Sequence, residues 1–300
     1  MSGTTPWRQT PNGVCAGVYA AALVVAAITV VLMGSATPIL TAAAACIAAT
    51  VIIFVFACWT GNASVYDPYW SVAPPLTLAW WMAVEAPVSA REWLVLALVT
   101  VWSVRLTWNC MLRWPDMGHE DFRYQDLRAQ SGRLFPLVNL FGIELFPTLL
   151  VFLGCLPLLA VAQSDVPLGW VDGLAIALTA AAIWIETVAD LQLRAHRVAE
   201  QPKPDILTTG VWGWSQHPNY LGEIGFWWGL CLFGLAAGPF SPWLIAGALA
   251  MTALFAFISI PMMLARKRKK IPDYDASVAG IPVLIPFTAG VAARFARSRS

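Results

Sequence analysis

Charged side chains are scarce in this chain, and their scarcity excludes a water-soluble protein. Only 12% of its 300 residues are charged, 59% are hydrophobic, and the formal net charge is +1. A soluble domain carries about twice that charged fraction, roughly a quarter of its residues. The near-zero net charge and the aromatic content also exclude a nucleic-acid-binding or disordered protein. We therefore expect an integral membrane protein whose environment is the lipid bilayer.

Histidine and cysteine are also few, which limits metal and disulfide chemistry. The three histidines lie far apart, and no Cys-x-x-Cys or His-x-x-x-His spacing occurs, so we expect no metal site. Six cysteines in 300 residues are too few for a secreted disulfide scaffold. Because no Gly-x-Gly-x-x-Gly motif follows a strand, a nucleotide would have to be held by helices rather than by a Rossmann unit.

Long apolar runs are abundant instead. A membrane-spanning helix needs roughly 20 mostly apolar residues, and eight runs reach or approach that length. They are Val14–Gly34, Ile39–Cys58, Val72–Ala86, Trp93–Met111, Phe135–Val161, Gly169–Ala189, Tyr220–Ala237 and Trp243–Leu264. The third and seventh runs are short, and the fifth is long and contains three prolines, so seven or eight spans are predicted. The predicted fold is an all-α, multi-pass membrane helix bundle.

The basic residues predict the orientation. With eight spans and a cytoplasmic N-terminus, 16 of the 18 Lys and Arg residues face the cytoplasm. Both termini are then cytoplasmic, in the plasma or inner membrane of a bacterium or the endoplasmic reticulum of a eukaryote. We divide the chain into N-terminal transmembrane helices (1–61), a membrane domain (62–287) and a basic cytoplasmic tail (288–300).

Polar residues at the membrane edge gather in three clusters, and such residues are functional candidates by default. The clusters are 61–71, Arg105 with the loop 113–133, and 186–223. In the eight-span topology all three face the cytoplasm. A site built there would meet a soluble ligand at its mouth and a lipid-soluble substrate from the side.

The third cluster is the richest. Four ionisable residues share one helical face at spacings of four, four and three: Glu186, Asp190, Arg194 and Arg197. A chain of salt bridges on a solvated helix end is the alternative interpretation of this face. The segment 210–223, GVWGWSQHPNYLGE, follows. Pro218 suits the first turn of a helix, whose free N–H groups can bind an anion such as phosphate.

The start of this predicted helix has the composition of a polar ligand pocket. Asn219 and Glu223 are four residues apart and therefore share a helical face. A lone histidine at a membrane boundary is more often structural. Together with Asn219, Tyr220 and Glu223, however, His217 indicates a ligand site.

These motifs resemble the steroid 5-alpha-reductase family, in particular its bacterial-type membrane subgroup catalogued as domain of unknown function 1295. The resemblance covers about Asn62 to Phe287. Its strongest part is carried by Asp190, Gln192, Arg194, Gly210, Trp212, His217-Pro218-Asn219-Tyr220 and Gly222-Glu223. Weaker matches are the segment Asn62–Ser71, the loop Arg105–Tyr124 and the closing segment Tyr274–Phe287.

The resemblance implies a membrane-embedded, NADPH-dependent reductase of an activated C=C bond in a lipid-like substrate such as a steroid, polyprenol or acyl enone. The positions that would hold the cofactor are Asp190, Arg194, His217, Asn219, Tyr220 and Glu223, with Arg113 and Arg123 as further phosphate candidates. Such a reduction needs a buried acid that donates to the carbonyl oxygen. The candidates are Tyr66, Asp67 and Glu144, although interhelical hydrogen bonding is an alternative role for Glu144.

Two departures from the family pattern leave part of this open. Gln216 stands where many relatives have arginine, which removes one phosphate contact and leaves NADPH or NADH open. The closing segment is also less polar and less basic than in those relatives.

Two other functions are alternatives to the reductase. Membrane methyltransferases that use S-adenosylmethionine share the HPxYxG stretch, but their adjacent glutamates are replaced here by the basic run 266–270. A non-catalytic lipid-binding or transport protein is the other rival, and no internal repeat of the kind transporters show is visible.

Overall fold

The computed structural model describes residues 11–34, 36–85, 87–199 and 206–286. Within these ranges the chain forms helices and turns and no strand, which confirms the all-α prediction. The predicted cytoplasmic tail 288–300 lies outside the described residues, as do Arg8 and Lys203. The helices are α1 (Pro11–Met33), α2 (Pro38–Thr60), α3 (Tyr69–Val84), α4 (Ala90–Arg113), α5 (Phe122–Ser131), α6 (Phe135–Val138), α7 (Phe146–Ala162), α8 (Trp170–Val198), α9 (Pro218–Ala237), α10 (Trp243–Leu254), α11 (Ile260–Lys270) and α12 (Tyr274–Ser277).

Seven helical segments among the described residues are long and apolar enough to cross a membrane, which confirms an integral, multi-pass protein. They are α1, α2, α4, the continuous stretch Phe122–Ala162, α8, α9 and the stretch Trp243–Lys270. The third predicted span corresponds to α3, which has 16 residues and is not among these seven segments. It is about 24 Å long, against a hydrocarbon core of about 30 Å. Since eight crossings require α3 to span, the cytoplasmic location of both termini stays a prediction.

The long fifth span contains a π-helical turn. Asn139–Leu145 forms this turn between α6 and α7. Pro136 lies in the first turn of α6, and Pro147 directly follows the π-helical turn, where its missing N–H leaves one bond of the continuous helix unmade. A second π-helical turn, Phe255–Ser259, separates α10 from α11. Such turns are rare and frequently occur at functional sites.

The chain folds as two compact units. The first comprises Met1–Pro167 and Ala237–Pro239, and the second comprises Leu168–Ala236 and Phe240–Ser300. In the first unit, α1 and α2 pack with the turn that carries Val65 and Tyr66 around an apolar core. In the second unit, α9 approaches α8 through glycines, as is common between membrane helices. A Cβ atom at Gly222 would lie 2.8 Å from the carbonyl oxygen of Ala182.

Candidate functional site

The predicted site residues divide between the two units. The first unit contains Tyr66, Asp67, Arg113, Arg123 and Glu144. The second contains Asp190, Arg194, His217, Asn219, Tyr220 and Glu223.

In the first unit, Asn62 joins two clusters that lie far apart in sequence. Its Nδ2 donates to the carbonyl oxygens of Met117 at 2.8 Å and of His119 at 3.1 Å. The backbone N–H of Asp121 donates to Ser64 Oγ at 2.8 Å. These bonds fasten the loop after α4 to the short 3-10 turn after α2, so the first and second polar clusters form one assembly.

Asp67 lies within this assembly and binds two side chains from α5. Tyr124 donates its phenolic hydrogen to Asp67 Oδ1, and an Arg123 Nη lies 3.5 Å from Asp67 Oδ2. Arg123 Nε also donates to Asp121 at 2.8 Å, so ion pairs already engage this predicted phosphate ligand. Burial raises the pKa of Asp67, although Arg123 and Tyr124 act in the opposite direction. Asp67 and Tyr124 thus form a phenol–carboxyl pair able to hold a proton.

Tyr66, the sequence neighbour of Asp67, makes different contacts. Its hydroxyl lies 2.9 Å from Thr148 Oγ1, which lies 2.9 Å from Thr50 Oγ1. Thr50 donates to the carbonyl oxygen of Cys46 at 2.8 Å. Because each hydroxyl has one hydrogen and a carbonyl only accepts, donation runs from Tyr66 to Thr148, then to Thr50, then to Cys46. Burial raises the pKa of Tyr66 well above its ordinary value.

A narrow cleft lies beside this hydroxyl chain. Its volume is about 10 Å³, roughly the room that a single water molecule needs. Tyr66 and Thr148 line it together with apolar side chains of α3 and α7, among them Trp70, Val151 and Phe152. The lining of the cleft is mostly apolar, but the space it encloses is too small for a lipid chain.

Glu144 is fully buried in the π-helical turn between α6 and α7. Asn139 Nδ2 donates to its Oε1 at 3.1 Å. Glu144 Oε2 and Asn139 Oδ1 are buried without a hydrogen-bond partner. The hydrogen bond of Glu144 to Asn139 therefore lies within one helical turn. The structural role predicted from the sequence as an alternative is hydrogen bonding between helices.

In the second unit, the motif residues Gln192, Gly210 and Trp212 fix a loop on α8. The backbone N–H of Val211 donates to Gln192 Oε1 at 3.1 Å, and Trp212 Nε1 donates to the Ala189 carbonyl oxygen at 3.0 Å. Gly210 has a φ of +62°, and a Cβ atom there would lie 2.7 Å from Gln192 Cδ. The positive φ favours glycine, and an added Cβ atom would also displace the Gln192 amide that holds Val211.

Gln216 anchors a C-terminal strap, defined here as residues 274–283. Its Nε2 donates to the Ile281 carbonyl oxygen at 2.7 Å, and its backbone N–H donates to that of Pro282 at 2.9 Å. Tyr274 donates its hydroxyl hydrogen to Gln216 Oε1 at 3.1 Å. Gln216 thus has a structural role in this chain.

Lys267 lies against the loop that carries Gln216. It was not among the site residues predicted from the sequence. Its ammonium lies 3.5 Å from the Gln216 carbonyl oxygen and 3.5 Å from the Tyr274 hydroxyl. In the described part of the chain these partners are neutral, and no carboxylate pairs with Lys267. Its neighbour Arg268 instead pairs with Asp275 at 3.0 Å on the surface. The sequence could not distinguish Lys267 from its neighbours in the basic run 266–270, because composition does not show which of these side chains faces the protein and which faces solvent.

His217 precedes α9 and is 3% exposed. Its ring stacks on Tyr220, with centroids 5.2 Å apart and planes 7° apart. Its backbone N–H donates to Ser215 Oγ at 3.1 Å. Nε2 is buried without a partner. Burial, followed by the charge of Lys267, lowers the pKa of His217 to about 3. The imidazole is therefore neutral, and its buried Nε2 has no hydrogen-bond partner among the described residues of the protein.

The other predicted residues vary in exposure. Asn219 is partly buried in the first turn of α9, and Asp190 is partly buried on α8. Glu223 is buried and accepts a hydrogen bond from Trp227 Nε1 at 2.8 Å. Arg194 and Arg113 are exposed. Among the described residues, no group of three His, Cys, Asp or Glu side chains could hold a metal ion.

His217→Gln is expected to flatten the loss of stability in acid. Because the folded-state pKa of His217 is about 3 and its ordinary value 6.5, the unfolded state binds a proton first as the pH falls. Stability is therefore lost between these two values. We expect the melting temperature of the wild type to fall more steeply in this window than that of His217→Gln. The exposed His119→Gln serves as control and should keep the wild-type slope; equal slopes in all three proteins would contradict the interpretation.

Comparison with known proteins places these residues within one matched region. A family model described as "Protein of unknown function (DUF1295)" matches residues 53–279, which include every predicted site residue. The uncharacterized protein C594.04c of Schizosaccharomyces pombe (strain 972 / ATCC 24843) is 28% identical over 223 residues. The match covers 66% of this chain and 65% of that relative. No solved structure matches the chain.

Proposed function

The chain belongs to the DUF1295 family, and from this premise we propose that it is a membrane-embedded, NAD(P)H-dependent reductase of an activated C=C bond in a lipid-like substrate. The resemblance to steroid 5-alpha-reductases is part of the proposal. The observation that carries it is the Lys267 ammonium, which lies against the His217 loop with neutral partners. A cation in such surroundings suits an anionic ligand.

Three features near the start of α9 fit the cofactor. Lys267 offers a charge-assisted donor for a phosphate, and the first turn of α9 offers backbone N–H groups. The buried Nε2 of His217 has no partner in the protein. S-adenosylmethionine carries no phosphate, so these residues favour a dinucleotide over that cofactor. When bound, NAD(P)H supplies the hydride.

The Asp67–Tyr124 pair supports the proton-transfer half of the reaction. Hydride addition to an enone leaves negative charge on its carbonyl oxygen, which a positioned acid must neutralise. Within the first unit we assign this donation to Tyr124. When Asp67 is protonated, the hydrogen bond between the two groups reverses: the carboxyl O–H donates to the phenol oxygen, and the phenolic hydrogen is free to pass to the substrate oxygen as Asp67 passes its own hydrogen to the phenol. Arg123 then stabilises the resulting carboxylate from 3.5 Å. Tyr124 therefore joins Tyr66, Asp67 and Glu144 as a candidate, and it takes the role of donor.

Nucleotide binding tests the proposal directly. In detergent, NADPH is expected to raise the melting temperature of the purified protein and to quench the fluorescence of its 16 tryptophans. S-adenosylmethionine at the same concentration should change neither, and adenosine controls for general effects of the base. Stabilisation by S-adenosylmethionine alone would replace the reductase with a methyltransferase. If neither cofactor has an effect, the proposed reductase is contradicted.

A further inference from the structure

The π-helical turn Asn139–Leu145 contains two buried oxygens without a donor. Glu144 is 0% exposed and Asn139 is 2% exposed. The amide nitrogen of Asn139 donates to one carboxyl oxygen of Glu144. The other carboxyl oxygen and the amide oxygen both lack a partner. Two orphaned acceptors on side chains that already touch each other indicate that a hydrogen belongs between them.

The surroundings of Glu144 disfavour a negative charge. The groups that act on it electrostatically are the Cys58 thiol from α2, the Tyr66 hydroxyl from the 3-10 turn and the Tyr69 hydroxyl from α3. All of these are neutral or would add negative charge, and Asp67 lies beyond Tyr66. An isolated carboxylate buried in a membrane-spanning segment is costly enough that it takes up a proton instead.

Arg128 is a cation near this turn, and it is already paired with other groups. Arg128 reaches Cys58 electrostatically, but its guanidinium donates to Glu120 at 2.8 Å and to the Gly61 carbonyl oxygen at 3.0 Å. It also lies 3.9 Å from the centre of the Phe135 ring. In the residues that the structure describes, no cation forms an ion pair with Glu144, so a proton is the remaining source of neutralisation.

The geometry of the turn explains why these two residues meet. Asn139 and Glu144 are five positions apart. On an α-helix such residues point about 140° away from each other. A π-helical turn closes its hydrogen bonds from residue i to i+5 and therefore brings these positions together. The rare turn and the acid–amide contact are in this sense one feature.

We propose that Glu144 is a neutral carboxylic acid at neutral pH and forms a cyclic pair with Asn139. The proton on Oε2 makes that oxygen a donor, and its acceptor is Asn139 Oδ1. One hydrogen then satisfies both orphaned atoms, while the existing amide bond closes the ring. The turn is thereby a binding site for one exchangeable proton inside the membrane domain. This assignment is independent of the proposed reductase.

Infrared spectroscopy of the full-length protein in lipid nanodiscs tests the proposal. At neutral pH the wild type should show the C=O stretch of a protonated carboxylic acid, shifted downward in D₂O because the hydrogen exchanges. Glu144→Gln should lose this band while folding normally, since its amide donates in place of the acid. Glu120→Gln is the matched control: it removes a carboxylate paired with Arg128 and should leave the band unchanged.

Further variants keep the result decisive if Glu144→Gln does not fold. Glu144→Asp should move the acid band without removing it, because the carboxyl group is kept but withdrawn by one methylene. Glu144→Leu should lower the melting temperature more than Glu144→Gln, since it leaves both polar atoms of Asn139 unsatisfied. Absence of an acid band from the wild type, or an acid band of unchanged intensity in Glu144→Gln, overturns the proposal; a protonated Asp67 contributes equally to both spectra and cancels in their difference.

Discussion

Replacing Lys267 by methionine is expected to weaken NADPH binding at least thirtyfold. Methionine keeps the apolar stem but removes the ammonium. Truncating one partner of a buried, charge-assisted contact costs 2 kcal/mol or more, and about 2 kcal/mol corresponds to roughly thirtyfold in affinity. Titration of tryptophan fluorescence with NADPH measures the change. The fold should persist, because the hydrogen bonds of Lys267 within the protein are long, at 3.5 Å each.

Lys269 provides a matched control for this experiment. It lies two positions further on α11 and is exposed. Lys269→Met removes the same charge from the same helix and should change NADPH affinity less than twofold at physiological salt. Equal affinities for wild type and Lys267→Met would remove Lys267 from the proposed site. An equal loss of NADPH affinity in Lys267→Met and Lys269→Met would mean that Lys267 acts only through the general positive charge of α11.

Gly222→Ala is expected to lower the melting temperature by roughly 5 to 10 °C. The added Cβ atom would meet the side chain of Glu186, the Ala182 carbonyl oxygen at 2.8 Å and the Glu186 backbone nitrogen at 3.2 Å. Two of these contacts are backbone atoms of α8, which cannot rotate away. The two helices would therefore have to separate. Thermal unfolding in detergent, followed by fluorescence, measures the loss.

Gly173→Ala is the control for this substitution. It lies on α8, and a Cβ atom there has nothing within 4 Å. Alanine is also the better helix former, so this variant should melt at or slightly above the wild-type temperature. If Gly222→Ala melted at the same temperature as Gly173→Ala, close packing of α8 against α9 would not be the reason for glycine at position 222.

The helices were predictable because their signal is local. Apolar runs of helical length locate α1, α2, α4, α8 and α9, since each residue there faces lipid or another apolar helix. The π-helical turns were not predictable from hydropathy, because Asn139–Leu145 lies within one long apolar run and hydropathy does not distinguish a π-helical turn from an α-helical one. The loop 113–133 contains α5, whose low hydropathy hides a regular helix.

The site was predictable only in part, because its contacts join distant positions. Asp67 was named from its place at a membrane edge, but its partner Tyr124 lies 57 residues away. No periodicity links two such positions in a single sequence. From the sequence, Gln216 was interpreted as the loss of a phosphate contact. In the structure its side chain forms hydrogen bonds to the strap, residues 274–283. That role depends on the path of residues 274–283, which their composition does not specify.

The direction of the hydroxyl chain has a consequence for proton supply. The hydrogen of Tyr66 is directed at Thr148, and the chain ends at the Cys46 carbonyl oxygen. A carbonyl has no hydrogen to return, so a proton given up by Tyr66 could not be replaced along this route. Tyr124 contacts a carboxyl group that can gain and lose a proton. In the proposed reductase, Tyr124 is therefore the phenol that can regain its proton between turnovers, whereas Tyr66 cannot regain one along its hydroxyl chain.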